Sequence, residues 1–104
     1  MVRVRVGPME LEVTGHAQSA EPGKDLVCCS LSVLTQTLAI YMEKLMNQGC
    51  LLMLDKQLEP GDAYIRVIPY GWSMKNVIIA FEVIRAGITT LAEDYPEYIT
   101  LEEA

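Results

Sequence analysis

Val2-Arg3-Val4-Arg5-Val6-Gly7-Pro8-Met9-Glu10-Leu11-Glu12-Val13 alternates apolar and charged side chains on either side of a glycine and a proline. A period of two puts Val2, Val4 and Val6 on one face of a strand and Arg3 and Arg5 on the other. Leu11 and Val13 continue the apolar face beyond the break, and Glu10 and Glu12 continue the charged one. Folding about Gly7-Pro8 pairs Arg5 with Glu10, Val4 with Leu11, Arg3 with Glu12 and Val2 with Val13. Apolar then meets apolar and arginine meets glutamate throughout, as a hairpin requires. Such a hairpin has one dry face, which another layer must cover.

The cover lies further along the chain. Asp25 is a good N-cap, because its carboxylate can accept a backbone N–H two or three residues on. Beyond it Val27, Leu31, Leu34, Leu38, Tyr41 and Leu45 recur at three- and four-residue steps, the buried stripe of a helix running to about Gln48, with Gly49 as its stop. Cys28, Ser32, Thr35 and Ala39 form a row of small side chains beside that stripe. Cys50 to Leu54 and Ala63 to Ile68 are short apolar runs separated by the turn signal Glu59-Pro60-Gly61-Asp62, a second hairpin. Ser73 can cap a second helix with the stripe Val77, Phe81, Ile84, Ile88 and Leu91, weakened at Gly87 by about 1 kcal/mol against alanine. Pro96 ends that helix, and Tyr98 to Leu101 suit a short terminal strand. The expected fold is α+β: two layers, a mainly antiparallel sheet packed by two helices in the order β-β-α-β-β-α with a last β, in one domain over residues 1–104.

Composition narrows the function classes. A net charge of −6, from 8 basic and 14 acidic residues, argues against direct nucleic-acid binding and favours a basic protein partner. No run approaches the ~18 uninterrupted apolar residues of a membrane span, and the alternating start does not read as a signal peptide. Three cysteines, two of them adjacent, do not make a disulfide framework, so a reducing cytoplasm fits best. Met42, Met46, Met53 and Met74 read as core filler, and Cys50 as structural. Tyr70 and Trp72 suit either aromatic core or the lining of a peptide groove.

Chemistry concentrates in Gly15-His16-Ala17-Gln18-Ser19-Ala20-Glu21-Pro22-Gly23-Lys24-Asp25-Leu26-Val27-Cys28, which holds the only histidine. Ala17 to Lys24 shows no periodicity and reads as a loop. With Asp25 as N-cap, Cys28 is the third helical residue, where free N–H groups and the helix dipole favour a thiolate and can hold an oxyanion. His16 is placed to take the thiol proton and return it to a leaving amine. The plainer alternatives are a small buried cysteine and a strand-end histidine bonded to its own loop. Zinc is disfavoured, because Cys28 and Cys29 point about 100° apart on a helix. No phosphate loop is present, and no cofactor is expected.

Gly15-His16-Ala17, the twelve-residue step from His16 to Cys28, Gly23-Lys24-Asp25-Leu26-Val27-Cys28, Ser32 four residues on, and the closing Tyr95-Pro96-Glu97-Tyr98-Ile99 together resemble the ribosomal-processing cysteine proteases, the Prp family. The resemblance covers essentially the whole chain. It implies a cytoplasmic, homodimeric endopeptidase with a Cys-His dyad and no membrane partner. Its substrate would be the N-terminal peptide of a ribosomal protein precursor, the large-subunit protein L-twenty-seven, cut after a pair of aromatic residues during ribosome assembly. Carried over, Cys28 is the nucleophile and His16 the base. Gly15, Asp25 and Ser32 support the site, and the 17–24 loop is a lid. Cys29 departs from the family, where a small residue such as alanine follows the nucleophile. Two rivals stand beside this reading: a non-enzymatic ribosome-assembly binding module, and a thiol hydrolase of small acyl compounds.

Overall fold

The computed structural model describes residues 1–15 and 24–104. In chain order its elements are β1 (Val2–Val6), β2 (Glu10–Thr14), α1 (Lys24–Asn47), β3 (Leu51–Glu59), β4 (Asp62–Pro69), a 3-10 turn (Gly71–Ser73), α2 (Met74–Asp94) and β5 (Ile99–Glu103). The five strands form one sheet in the order β3-β4-β2-β1-β5. Every neighbouring pair is antiparallel except β1 with β5. The expected two-layer α+β fold is therefore observed, with one parallel pair at the edge.

The first hairpin keeps its faces but not the expected register. Val4 pairs with Val13, Arg5 with Glu12 and Val6 with Leu11, two residues from the pairing about Gly7-Pro8. The turn is Pro8-Met9, closed by the Gly7 N–H donating to the Glu10 carbonyl at 2.8 Å. Proline thus occupies the first central position of the turn, where its fixed φ fits. A shift of two leaves each side chain on its own face, so the apolar side still points inward. The second hairpin is longer than its apolar runs suggested, reaching Glu59 and Asp62 around a Pro60-Gly61 turn in which Gly61 has φ 79°. Asp55 and Lys56 interrupt the apolar run, but β3 is an edge strand that tolerates charge, and Lys56 pairs with Glu43 of α1.

Helix α1 covers the sheet through Val27, Leu31, Leu38, Ala39, Met42 and Leu45. Tyr41, expected in this row, is 40% exposed, and Met42 is buried in its place. By length and composition Leu26–Asn47, with a mean hydropathy of 1.4, is apolar enough to cross a membrane; counting uninterrupted runs misses this. In the fold its inner row instead packs on strands and on α2. The helix stops as Gly49 predicts: Gly49 has φ 77°, its N–H donates to the Met46 carbonyl, and the Cys50 N–H donates to the Leu45 carbonyl. That pair of bonds is a Schellman motif and satisfies the last-turn carbonyls.

Helix α2 buries Val77, Phe81, Ile84 and Ile88 as its spacing predicts. Ser73 precedes it but makes no capping hydrogen bond. It is 1% exposed, and its hydroxyl is shared between the carbonyls of Cys50 and Tyr70. Tyr70 and Trp72 stack on each other in the open, 42% and 71% exposed, so they are not core. Met46 and Met74 are likewise exposed, whereas Met42 fills core. The antiparallel helices touch at Gly87, where an added Cβ would lie 3.1 Å from a methyl of Leu34. Glycine there weakens the helix and lets the two helices approach.

Candidate active site

A cleft of about 260 Å³ opens at one end of the sheet. One wall is the start of α1, with Cys28, Leu31, Ser32, Thr35 and Gln36. Facing it is the β3–β4 tip, from Leu58 to Gly61, while Val2, Val13 and Gly15 come from the strand ends. Three of the expected site residues, Gly15, Cys28 and Ser32, therefore meet in one cavity. Cys28 and Ser32 do so because residues four apart share a helix face.

Gly15 is held tightly. Its φ is 107°, a region closed to most side chains, and an added Cβ would lie 2.5 Å from the Met1 carbonyl oxygen. Its N–H donates to the Gly61 carbonyl at 3.1 Å, which ties the end of β2 to the β3–β4 tip. The chain is thus delivered at the cleft as it enters residue 16. His16 itself, and the 17–23 part of the expected lid, lie outside the described residues.

Two expectations about the helix start change. Helix α1 begins at Lys24, so Lys24 is not loop and Asp25 is the second helical residue rather than the N-cap. Cys28 is then the fifth residue, and only the first four N–H groups of a helix lack an internal partner. Its own N–H is therefore not among the free donors. Its side chain still leans toward the helix start, as Cα–Cβ bonds in a helix do, so the thiol faces the turn that carries those donors.

The adjacent cysteines separate by position. Cys28 is half-buried and lines the cleft, whereas Cys29 is exposed and does not. Cys50 is a free thiol at the opposite end of the sheet, where its carbonyl accepts from Ser73 and Tyr70. The cleft is lined by apolar Val2, Val13 and Leu31 and by polar Ser32, Thr35 and Gln36 of α1. A cavity of that kind suits a peptide segment whose side chain goes in and whose main chain stays polar. Sequence reasoning missed the opposite wall. Glu59 to Asp62 read as turn, and nothing local says that this turn lies near Cys28.

Comparisons with known proteins bear on the family and the fold. The family model described as cysteine protease Prp matches residues 1–100. The ribosomal processing cysteine protease Prp of Mycoplasma genitalium is 28% identical over 103 residues, covering 99% of this chain and 96% of that protein. A crystal structure from Streptococcus mutans matches with 30% identity and a TM-score of 0.69, over 98% of this chain and 90% of its own. The essential ribosomal processing protease Prp from S. aureus, solved with a substrate peptide, superposes with a TM-score of 0.76 over both full chains at 18% identity, a likeness of fold.

Proposed function

We propose that this chain, which belongs to the cysteine protease Prp family and is a cysteine endopeptidase, cuts with Cys28 as nucleophile and His16 as general base. The observation that carries the assignment is Cys28 lining a cleft at which the chain arrives through Gly15, one residue before His16, while Cys29 stands outside. His16 takes the thiol proton and Cys28 Sγ attacks the substrate carbonyl carbon. The oxyanion that forms is stabilised by free N–H groups of the first turn of α1. Collapse breaks the C–N bond, and the imidazolium gives its proton to the leaving amine. Water then hydrolyses the thioester by the same route. Ser32 and Gly15 shape the cleft around the thiol, and Asp25 stands in the turn that supplies the donors.

The substrate is the N-terminal extension of the ribosomal protein L-twenty-seven precursor, processed in the cytoplasm during ribosome assembly by one protease domain over residues 1–104. The acidic charge of the chain suits a basic ribosomal protein. The enzyme works as a homodimer. Leu26, Val33 and Ile40 recur at seven-residue steps along the outer side of α1, 54%, 59% and 66% exposed, and form an apolar row for a second copy to cover. Light scattering gives the dimer mass for wild type and the monomer mass for Ile40→Glu; a monomeric wild type overturns this part.

Cleavage of a peptide spanning the extension junction tests the whole reading. Wild type and Cys29→Ala cut it, and Cys28→Ala and His16→Ala do not. Cleavage that survives Cys28→Ala overturns the assignment. A wild type that binds the peptide without cutting it favours the non-enzymatic binding module.

A further inference from the structure

One row of side chains crosses three strands on the side of the sheet that the helices cover. Val13 of β2 stands directly opposite Ala63 of β4, and Ala63 stands directly opposite Leu58 of β3. Val4 of β1 continues the row opposite Val13 and is buried. One step further from the hairpin tip, the same side holds Leu11 opposite Ile65, both buried as well. Val13 and Ala63, in contrast, are only half-buried, and Leu58 is 41% exposed. All three line the cleft that holds Cys28. The helices seal the face beside these three residues and leave them open.

The middle of this row is its lowest point. Directly opposed side chains of an antiparallel pair have Cβ atoms about 4.5–5.5 Å apart, and Val13 and Leu58 both reach beyond the single methyl of Ala63. Alanine is also a poor strand former. Its column on β4 continues with Ile65 and Val67, which fill their places in the core. A small residue flanked by two larger ones at the floor of a cleft leaves an apolar hollow. Across the cavity stands α1, where Cys28, Ser32 and Gln36 recur every four residues along the same wall. From Cys28 to Gln36 that wall runs about 12 Å, the length of three to four extended residues.

We infer that this hollow takes one large apolar side chain of the substrate, within about four residues of the cut bond, with Ala63 setting its size and Val13 and Leu58 forming its sides. The bound side chain covers a part of the apolar face that otherwise meets water, which is the source of its affinity. The inference rests on the Cys28 reading above and deepens it by assigning a side-chain pocket.

Junction peptides with leucine or alanine placed in turn at each of the four positions on either side of the cut provide the test. At one or more positions wild type prefers leucine in kcat/KM by at least about tenfold, as burial of a leucine side chain gives. Ala63→Leu fills the hollow, brings the ratio at one of those positions to about one and leaves the other positions as in wild type. Its added side chain enters open space, and a thermal melt confirms that the variant folds. Leu58→Ala removes one side of the hollow and lowers the same ratio by about threefold, again at that position alone. No preference for leucine anywhere, a full set of preferences that survives Ala63→Leu, or a loss spread evenly over all positions overturns the pocket. Where Ala63→Leu does not fold, unchanged ratios in Leu58→Ala overturn it. If the peptides are still cut by wild type and spared by Cys28→Ala, the protease reading stands alone. No cleavage of any peptide overturns both.

Discussion

The two ends of the sheet are built on opposite rules. At the end where α1 finishes, β3 begins and α2 starts, the polar groups are paired. The Ser73 hydroxyl serves two carbonyls, the Cys50 carbonyl also accepts the Tyr70 N–H, and a Schellman motif closes α1. At the cleft end the Thr35 hydroxyl has no described partner, Glu59 faces Asp62, and Gly15 holds a φ of 107° against the Met1 carbonyl. Buried polar groups that are satisfied hold a fold together, and groups that line an open cleft stay available to a ligand. Departures from local rules gather at the end where the proposed chemistry lies.

The largest expected effect separates the ends outright. Cys28→Ala lowers peptide cleavage by at least about a thousandfold while the melting temperature stays near that of wild type, because a half-buried thiol contributes little packing. Steady-state kinetics beside a thermal melt reads both quantities. A large fall in melting temperature would make Cys28 part of the scaffold and erase the contrast.

Gly15→Ala comes next, since it strains the cleft end through its backbone. The positive φ costs an alanine about 1–3 kcal/mol, and the 2.5 Å approach to the Met1 oxygen adds to that unless β1 moves. Both stability and cleavage fall, as the residue positions the chain that leads into His16. Urea unfolding and kcat/KM measure the two losses, and a variant as stable as wild type would show that this junction is not held as described.

Ser73→Ala acts at the other end. It removes a donor shared between two carbonyls at a fully buried site and lowers stability by about 1–3 kcal/mol. Several degrees of melting temperature follow for a chain of this size. Cleavage per folded molecule is unchanged. Lost cleavage without lost stability would mean that the two ends are coupled.

The same division explains what could be read from the sequence. Alternation in Val2, Val4 and Val6 identified the buried face, because a period of two has one solution once a core exists. The hairpin register slipped by two, since Gly7-Pro8 and Pro8-Met9 both allow a turn and a shift of two preserves every face. Tyr41 and Met42 both continue the step from Leu38, at three and four residues, and only packing against the sheet decides between them. Local chemistry indicated Cys28, and the family resemblance indicated Gly15 and Ser32. It was silent on Glu59 and Leu58, because a turn signal carries no information about which helix it faces. The parallel pairing of β1 with β5 joins the two ends of the chain, and no local pattern announces it.

Between the two ends lies the helix crossing at Gly87 and Leu34, where the smallest effect is expected. Gly87→Ala gains about 1 kcal/mol of helix propensity and loses a similar amount where the new methyl meets the Leu34 methyls at 3.1 and 3.3 Å. The net change in stability stays within about 1 kcal/mol. The two contributions separate in a double-mutant cycle, because Leu34→Ala removes the side chain that the new methyl meets. In that background Gly87→Ala stabilises by about the full propensity gain. If it remains neutral there, the glycine answers to something other than the approach of the two helices, and the crossing cannot be treated as a passive link between a scaffold end and a cleft end.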